Sequence, residues 1–113
     1  MALRTEKRIF VTGATGFIGA ALLRAATQAG CEVDALTRSA NHAASLTALG
    51  VRAVVGDLLD ETGIWRDAVR KADAVIHLAQ PQTFGGRVTK SRARRYCASR
   101  LAMDRALFTA IDP

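Results

Sequence analysis

Three glycines, Gly13, Gly16 and Gly19, stand at three-residue intervals in TGATGFIG, between the apolar runs IFV and AALL. A glycine in such a place either adopts a backbone conformation closed to other residues or lets a neighbour come closer than a Cβ would permit. Both uses point to a ligand held by main-chain groups. The other residue types capable of chemistry say less. Cys31 and Cys97 have neither a Cys-x-x-Cys spacing nor a histidine cluster beside them, and with no secretion signal they read as small, buried or half-buried residues rather than a metal set or a disulfide. His77 falls inside the apolar run AVIHLA and reads as a satisfied core residue, not a catalyst. Tyr96, in YCASR, is the one tyrosine of the chain.

The elements that must position these residues follow from periodicity. RIFVT, residues 8 to 12, is rich in β-branched and aromatic types, with charges before it and glycine after it, which predicts a buried strand. From residue 17 to 29 the apolar positions Ile18, Leu22, Ala25, Ala26 and Ala29 recur at spacings of three and four, and Gly30 stops the helix. CEVDALT is a second strand. Ser39 is placed to cap a short helix carrying Ala43, Leu46 and Leu49, which closes at Gly50. VRAVVG is a third strand, and Asp60 is read as the cap of a helix with Ile64, Ala68 and Val69 on one face. DAVIHLA is a fourth strand, apolar on successive positions as strands covered on both faces are. A polar, turn-rich stretch then leads to a last helix over residues 95 to 111, with Leu101, Leu107, Phe108 and Ile111 among its apolar positions. Strand and helix alternate four times over short connections, which calls for parallel strands, right-handed crossovers and helices on both faces of one sheet.

With 113 residues, half of them apolar, the chain makes one domain with no room for a second. No apolar stretch is long enough to span a bilayer and the N-terminus lacks a signal-like apolar region, so a cytoplasmic location without membrane contact is expected. Most of the net charge of +6 resides at the C-terminal end, where Arg87, Lys90, Arg92, Arg94, Arg95, Arg100 and Arg105 face only Asp104 and Asp112. A nucleic-acid partner would want interleaved aromatics or a recognition signature, and only Tyr96 is present. The stretch 81–94 is therefore read as a solvated basic loop before the last helix.

Between strand one and helix one of a βαβ unit, the glycines acquire a specific use. Gly13 permits the tight turn off the strand, Gly16 removes a side chain where a pyrophosphate would lie, and Gly19 lets the helix pack closely on the sheet. The helix N-terminus then offers free amide N–H groups and the positive end of its dipole to the phosphates. This is the sequence context that a dinucleotide site demands.

TGATGFIG resembles the TGxxGxxG fingerprint of the extended short-chain dehydrogenase/reductase family, which includes NAD-dependent epimerase/dehydratases and related reductases. GDLLD at residues 56–60 resembles that family's motif after the third strand, and VIHLAQ at 75–80 resembles its VxHLAA at the end of the fourth. The resemblance covers residues 8 to 80 and implies a Rossmann-type, doubly wound α/β fold: about four parallel strands here, in the order 3-2-1-4. It also implies that Gly13, Thr15, Gly16, Phe17, Ile18 and Gly19 belong to the cofactor site. Asp57 would accept a hydrogen bond from the adenine amino group, and Leu58 would pack beside the ring. The main chain around Leu78, Ala79 and Gln80 would line the ribose and nicotinamide half. Asp57 and Asp60 also read as ordinary turn and cap residues.

The second strand bears on the choice of cofactor. NAD sites place an acidic residue near its end for the ribose 2′-OH, whereas NADP sites place arginine there for the 2′-phosphate. This strand ends Thr37, Arg38, Ser39, and Asp34 comes three residues too early. Arg38 with the Thr37 and Ser39 hydroxyls therefore favours NADP over NAD. The family's redox chemistry uses a Tyr-x-x-x-Lys pair beyond a fifth strand. Tyr96 is followed at the fourth position by Arg100, in the wrong part of the fold, and is rejected as a catalyst. The expectation is a cofactor-binding portion that is inactive alone, with the catalytic part absent. The alternatives are a non-catalytic dinucleotide-binding regulator and a small basic nucleic-acid-contacting module. An unpaired edge on strand four and the apolar face of the last helix would also favour self-association.

Overall fold

The computed structural model describes residues 7–60, 63–79 and 89–111. Four strands, β1 (Arg8–Thr12), β2 (Glu32–Thr37), β3 (Arg52–Val55) and β4 (Ala74–His77), form one sheet in the order β3-β2-β1-β4. All the pairings are parallel. The helices are α1 (Phe17–Gln28), α2 (Ala40–Ala48), α3 (Trp65–Lys71) and α4 (Lys90–Ile111). The doubly wound α/β architecture and its strand order are thus as the sequence implied.

Alternation along the strands divides the core in two. Phe10, Leu36 and Val54 point to one face, where Trp65 and Val69 of α3 and Leu107 and Ala110 of α4 cover them. Val11, Val33 and Ala35 point to the other, under Leu23 and Ala26 of α1 and Leu46 of α2. Successive side chains of a strand face opposite ways, so a strand covered on both faces must be apolar throughout. β2 and β1 fit this rule at Phe10, Val11, Ala35 and Leu36. β4 does not: Ala74 is exposed and Val75, Ile76 and His77 are only half-buried, because the strand lies at the sheet edge with β1 as its one partner among the described residues.

Two boundaries differ from the sequence reading. α3 begins at Trp65, with Ile64 and not Asp60 at its N-cap, and Ile64 is exposed while Trp65 is fully buried. The indole decides this: its Nε1–H donates to the Asp60 carbonyl at 3.0 Å, which draws the ring into the core and turns Ile64 out. α4 begins at Lys90, five residues before the expected start, so Lys90, Arg92 and Arg94 stand on a helix and not in a loop. Thr89 is the reason. Its hydroxyl accepts from Arg92 N at 3.1 Å and its carbonyl from Ala93 N at 2.9 Å, which is N-cap geometry. On α4, Leu107 is buried whereas Leu101, Phe108 and Ile111 are exposed. Residues 81–88 of the basic stretch lie outside the described residues.

Asp34, buried in the middle of the sheet, is held between two arginines. Arg52 Nε lies 3.2 Å from its Oδ1 and Arg8 Nε 3.9 Å from its Oδ2. In the register Asp34 stands opposite Phe10 on one side and Arg52 on the other, so the carboxylate fastens β3 to β2. Because Arg52 is well exposed and can rehydrate, its loss of partner is cheaper than in a fully buried pair. Asp34→Ala is expected to lower the unfolding free energy by about 1–3 kcal/mol, read from the urea midpoint, and the loss should shrink in an Arg52→Ala background.

Candidate functional site

A cleft of about 720 Å³ opens at the carboxyl ends of the strands. This is the side where open parallel sheets bind ligands, because the loops there splay apart where the chain order reverses. β1 and its turn bring Thr12, Gly13, Thr15 and Gly16 to it; β2 and its turn bring Leu36, Thr37, Arg38, Ser39 and, from α2, His42. Asp57, Leu58 and Leu59 follow β3, and Leu78 and Ala79 follow β4. A smaller cleft, about 330 Å³, adjoins it and is lined by Gly13, Gly16, Phe17, Ile18, Gly19, His77, Leu78 and Arg100. Between them the two clefts gather every site residue expected from the sequence except Gln80, which lies outside the described residues.

The three glycines differ in what demands them. Gly13 has φ +72°, and a Cβ there would stand 2.5 Å from the Leu78 carbonyl carbon and 2.6 Å from Ala79 N. Gly19 is buried, and a Cβ would lie 2.6 Å from both the Gly13 and Ala14 carbonyl oxygens. The folded chain itself therefore needs both. Gly16 is otherwise: its φ is −78°, and a Cβ would meet nothing closer than Gly13 O at 3.6 Å, an ordinary contact. It is the N-cap of α1 and leaves the helix without a side-chain cap, where serine or aspartate would close off an amide. The first-turn N–H groups of α1 consequently face the cleft mouth uncapped.

On the opposite wall, Ser39 caps α2, its Oγ accepting from Asn41 N at 3.2 Å and His42 N at 3.5 Å. The buried Thr37 hydroxyl accepts from Ser39 N at 3.2 Å and donates to Ser39 O at 3.4 Å. These bonds hold the β2–α2 turn and set Arg38 outward; its side chain is exposed, and no ion pair holds it among the described residues. Asp57 makes an Asx turn, Oδ1 accepting from Leu59 N at 2.9 Å. Leu58 is buried in the core against Trp65, while Leu59 is exposed at the cleft. Among the described residues, no three His, Cys, Asp or Glu side chains come together as a metal site would require.

The model of the NAD dependent epimerase/dehydratase family matches residues 9–112. The chain belongs to this family. Among its relatives, the sterol-4-alpha-carboxylate 3-dehydrogenase (decarboxylating) of Dictyostelium discoideum is 36% identical over 73 residues, covering 65% of this chain and 22% of that protein. The 2-alkyl-3-oxoalkanoate reductase of Stenotrophomonas maltophilia is 41% identical over 70 residues, covering 62% of this chain and 20% of that one. In three dimensions the chain is similar to a short-chain dehydrogenase/reductase superfamily protein of Agrobacterium tumefaciens with bound NAD. That similarity has a TM-score of 0.68 at 26% identity, over 92% of this chain and 28% of the other. The chain thus corresponds to less than a third of the length of each of these proteins.

Within this epimerase/dehydratase-family fold, several cleft residues escape a reading of motifs. His42 and Met103 come from helices, and their only sequence signal is helical spacing, which does not say that a face is turned to a cleft. Thr12 and His77 are motif residues whose side chains meet each other, a contact made only when β1 and β4 pair. Arg100 enters from α4, where a long arginine reads as surface.

Proposed function

We propose that this chain is the NADP(H)-binding portion of an extended short-chain dehydrogenase/reductase-type oxidoreductase or epimerase. The observation that carries this is Gly16: the protein's own packing would accept a side chain there, so the bare backbone and the uncapped α1 N-terminus are fitted to something outside the chain. A dinucleotide diphosphate suits a hole of that size beside amide donors. Gly13, Thr15 and Gly16, with Phe17, Ile18 and Gly19, would hold the diphosphate. Asp57 and Leu58 would take the adenine, and Leu78 and Ala79 the nicotinamide half. A nicotinamide bound there would supply hydride transfer.

Arg38 supports NADP(H) over NAD(H). It is the exposed cation of the β2–α2 turn, with the Ser39 hydroxyl and His42 on the same wall. The carboxylate of β2 nearest its end, Asp34, lies three residues short of it, is buried on Arg52 and is not at the cleft. Calorimetric titration with NADPH and NADH tests the assignment. NADPH should bind more tightly, and Arg38→Ala should cost NADPH about tenfold to a hundredfold, as the loss of a charge-assisted bond does, while leaving NADH unchanged. Equal affinities in the parent chain would overturn the preference.

Tyr96 has no part in turnover. The fourth position after it is Arg100, whose guanidinium is engaged by Asp104 at 3.4 Å and by the Ala79 carbonyl at 3.3 Å, not by a phenol. The 113 residues are accordingly proposed to bind cofactor without turning over a substrate.

A further inference from the structure

At the carboxyl ends of β1 and β4, hydrogen bonds close a ring that begins and ends on one residue. Ala79 N–H donates to Thr12 Oγ1 at 3.2 Å, and the Thr12 hydroxyl meets His77 Nδ1. On the far side of the imidazole, Nε2 lies 2.9 Å from Asp104 Oδ1. The same carboxylate oxygen is 3.4 Å from Arg100 Nε, and Arg100 Nη1 donates to Ala79 O at 3.3 Å.

For a neutral imidazole the donors and acceptors leave one arrangement. Thr12 Oγ1 accepts from the Ala79 amide, so its single hydrogen is available for His77 Nδ1, and Thr12 is fully buried with no water to replace that acceptor. A carboxylate only accepts, so Nε2 must carry the imidazole hydrogen. The ring therefore selects the Nε2–H tautomer of His77. Both polar groups of the Ala79 main chain are held in this way by side chains, one from β1 and one from α4. The ladder itself ends one residue earlier, at the bond from Leu78 N to Thr12 O of 3.0 Å.

We propose that His77, Asp104 and Arg100 are positioning residues of the cofactor cleft, fixing the Leu78–Ala79 wall from α4. Two observations favour this over simple packing. The Asp104 and Arg100 side chains are 29% and 35% exposed, so each could be solvated instead of joining the ring. The segment they hold runs against the Gly13 turn with no slack, at the contacts that exclude a Cβ there, and it lines both clefts. A wall displaced by a fraction of an ångström would either collide with the glycine turn or open the site. The proposal rests on the dinucleotide reading, and its test separates the two.

The experiment is ¹⁵N NMR of the His77 imidazole in the 113-residue chain, with NADPH titrations of the parent, Asp104→Leu and Asp104→Asn. The parent should show the Nε2–H tautomer. Asp104→Leu should show a mixture of tautomers and bind NADPH about tenfold more weakly, the loss of one hydrogen bond's worth of order. Asp104→Asn, whose Oδ1 still accepts, should keep the tautomer and bind within about threefold. An Nδ1–H or averaged imidazole in the parent overturns the proposal even if Asp104→Leu fails to fold, and so does undiminished binding by Asp104→Leu. A parent with the Nε2–H form that binds neither NADPH nor NADH overturns the cofactor reading instead.

Discussion

Gly16→Ala is expected to leave the melting temperature of the chain within a few degrees of the parent while abolishing detectable NADPH binding. A new methyl at this site meets only Gly13 O at 3.6 Å, and φ of −78° suits alanine as well as glycine, so the one cost to the fold is alanine's poorer fit at an N-cap, about 1 kcal/mol. The same methyl would stand where the diphosphate must approach the α1 amides. Gly13→Ala is the contrasting control. There φ is +72° and the methyl would press on Leu78 and Ala79 backbone at 2.5–2.6 Å, so stability and binding should fall together. Thermal melts and calorimetry on both variants separate a glycine kept for a ligand from one kept for the fold. Normal NADPH affinity in Gly16→Ala would remove the observation on which the functional assignment stands.

Trp65→Ala is expected to be the most destabilising single change among the described residues, at about 3–5 kcal/mol. The ring is fully buried among Phe10, Leu36, Leu58 and Leu107, so it joins the sheet to both α3 and α4. Its neighbours cannot close the gap. A Cβ on Gly56 or on Gly63 would lie 3.3 Å or 2.5 Å from the indole Cδ1, so both glycines already pack closely against the ring. A loss of that size is a large share of the 5–15 kcal/mol typical of a domain. Trp65→Phe keeps most of the apolar contact and gives up the bond from Nε1 to Asp60 O, so it should cost about 1 kcal/mol. Urea denaturation of the two variants checks both numbers. Because Leu58 sits in this cluster while Asp57 and Leu59 flank it at the cleft, Trp65→Phe should also loosen that wall, visible as faster amide exchange at Leu59.

Much of the fold, and most of the candidate site, was legible from local chemistry. β1 runs over the residues that RIFVT predicts, Ser39 caps α2 as its position suggests, and Gly13, Gly30 and Gly50 all take the positive φ that their turns require. Such features depend on a few adjacent residues. Periodicity, cap and turn preferences act over that range, so an alternating pattern of strands and helices can be read without coordinates. The glycine turn, the Arg38 turn and the GDLLD segment belong to the same class, since each follows the end of a strand whose direction is already settled.

Tertiary structure decided what depends on distance along the chain. No spacing rule distinguishes Trp65 from Ile64 as the inward residue of α3; the indole's bond to Asp60 O and the room left by Gly63 do. The half-exposure of β4 follows from its place at the sheet edge and not from its composition, which is that of a buried strand. Thr12 and His77 are 65 residues apart and His77 and Asp104 are 27 apart, so their bonds exist only once β1, β4 and α4 are assembled. Read alone, His77 is a polar residue in an apolar run and is expected as a satisfied core residue; both ring nitrogens are hydrogen-bonded, but the residue is half-buried and lines the smaller cleft instead of the core. Which groups satisfy it, and that they hold Ala79 at the cleft wall in doing so, is set by packing, because hydrogen bonds need distances and angles that only the assembled sheet and helix provide.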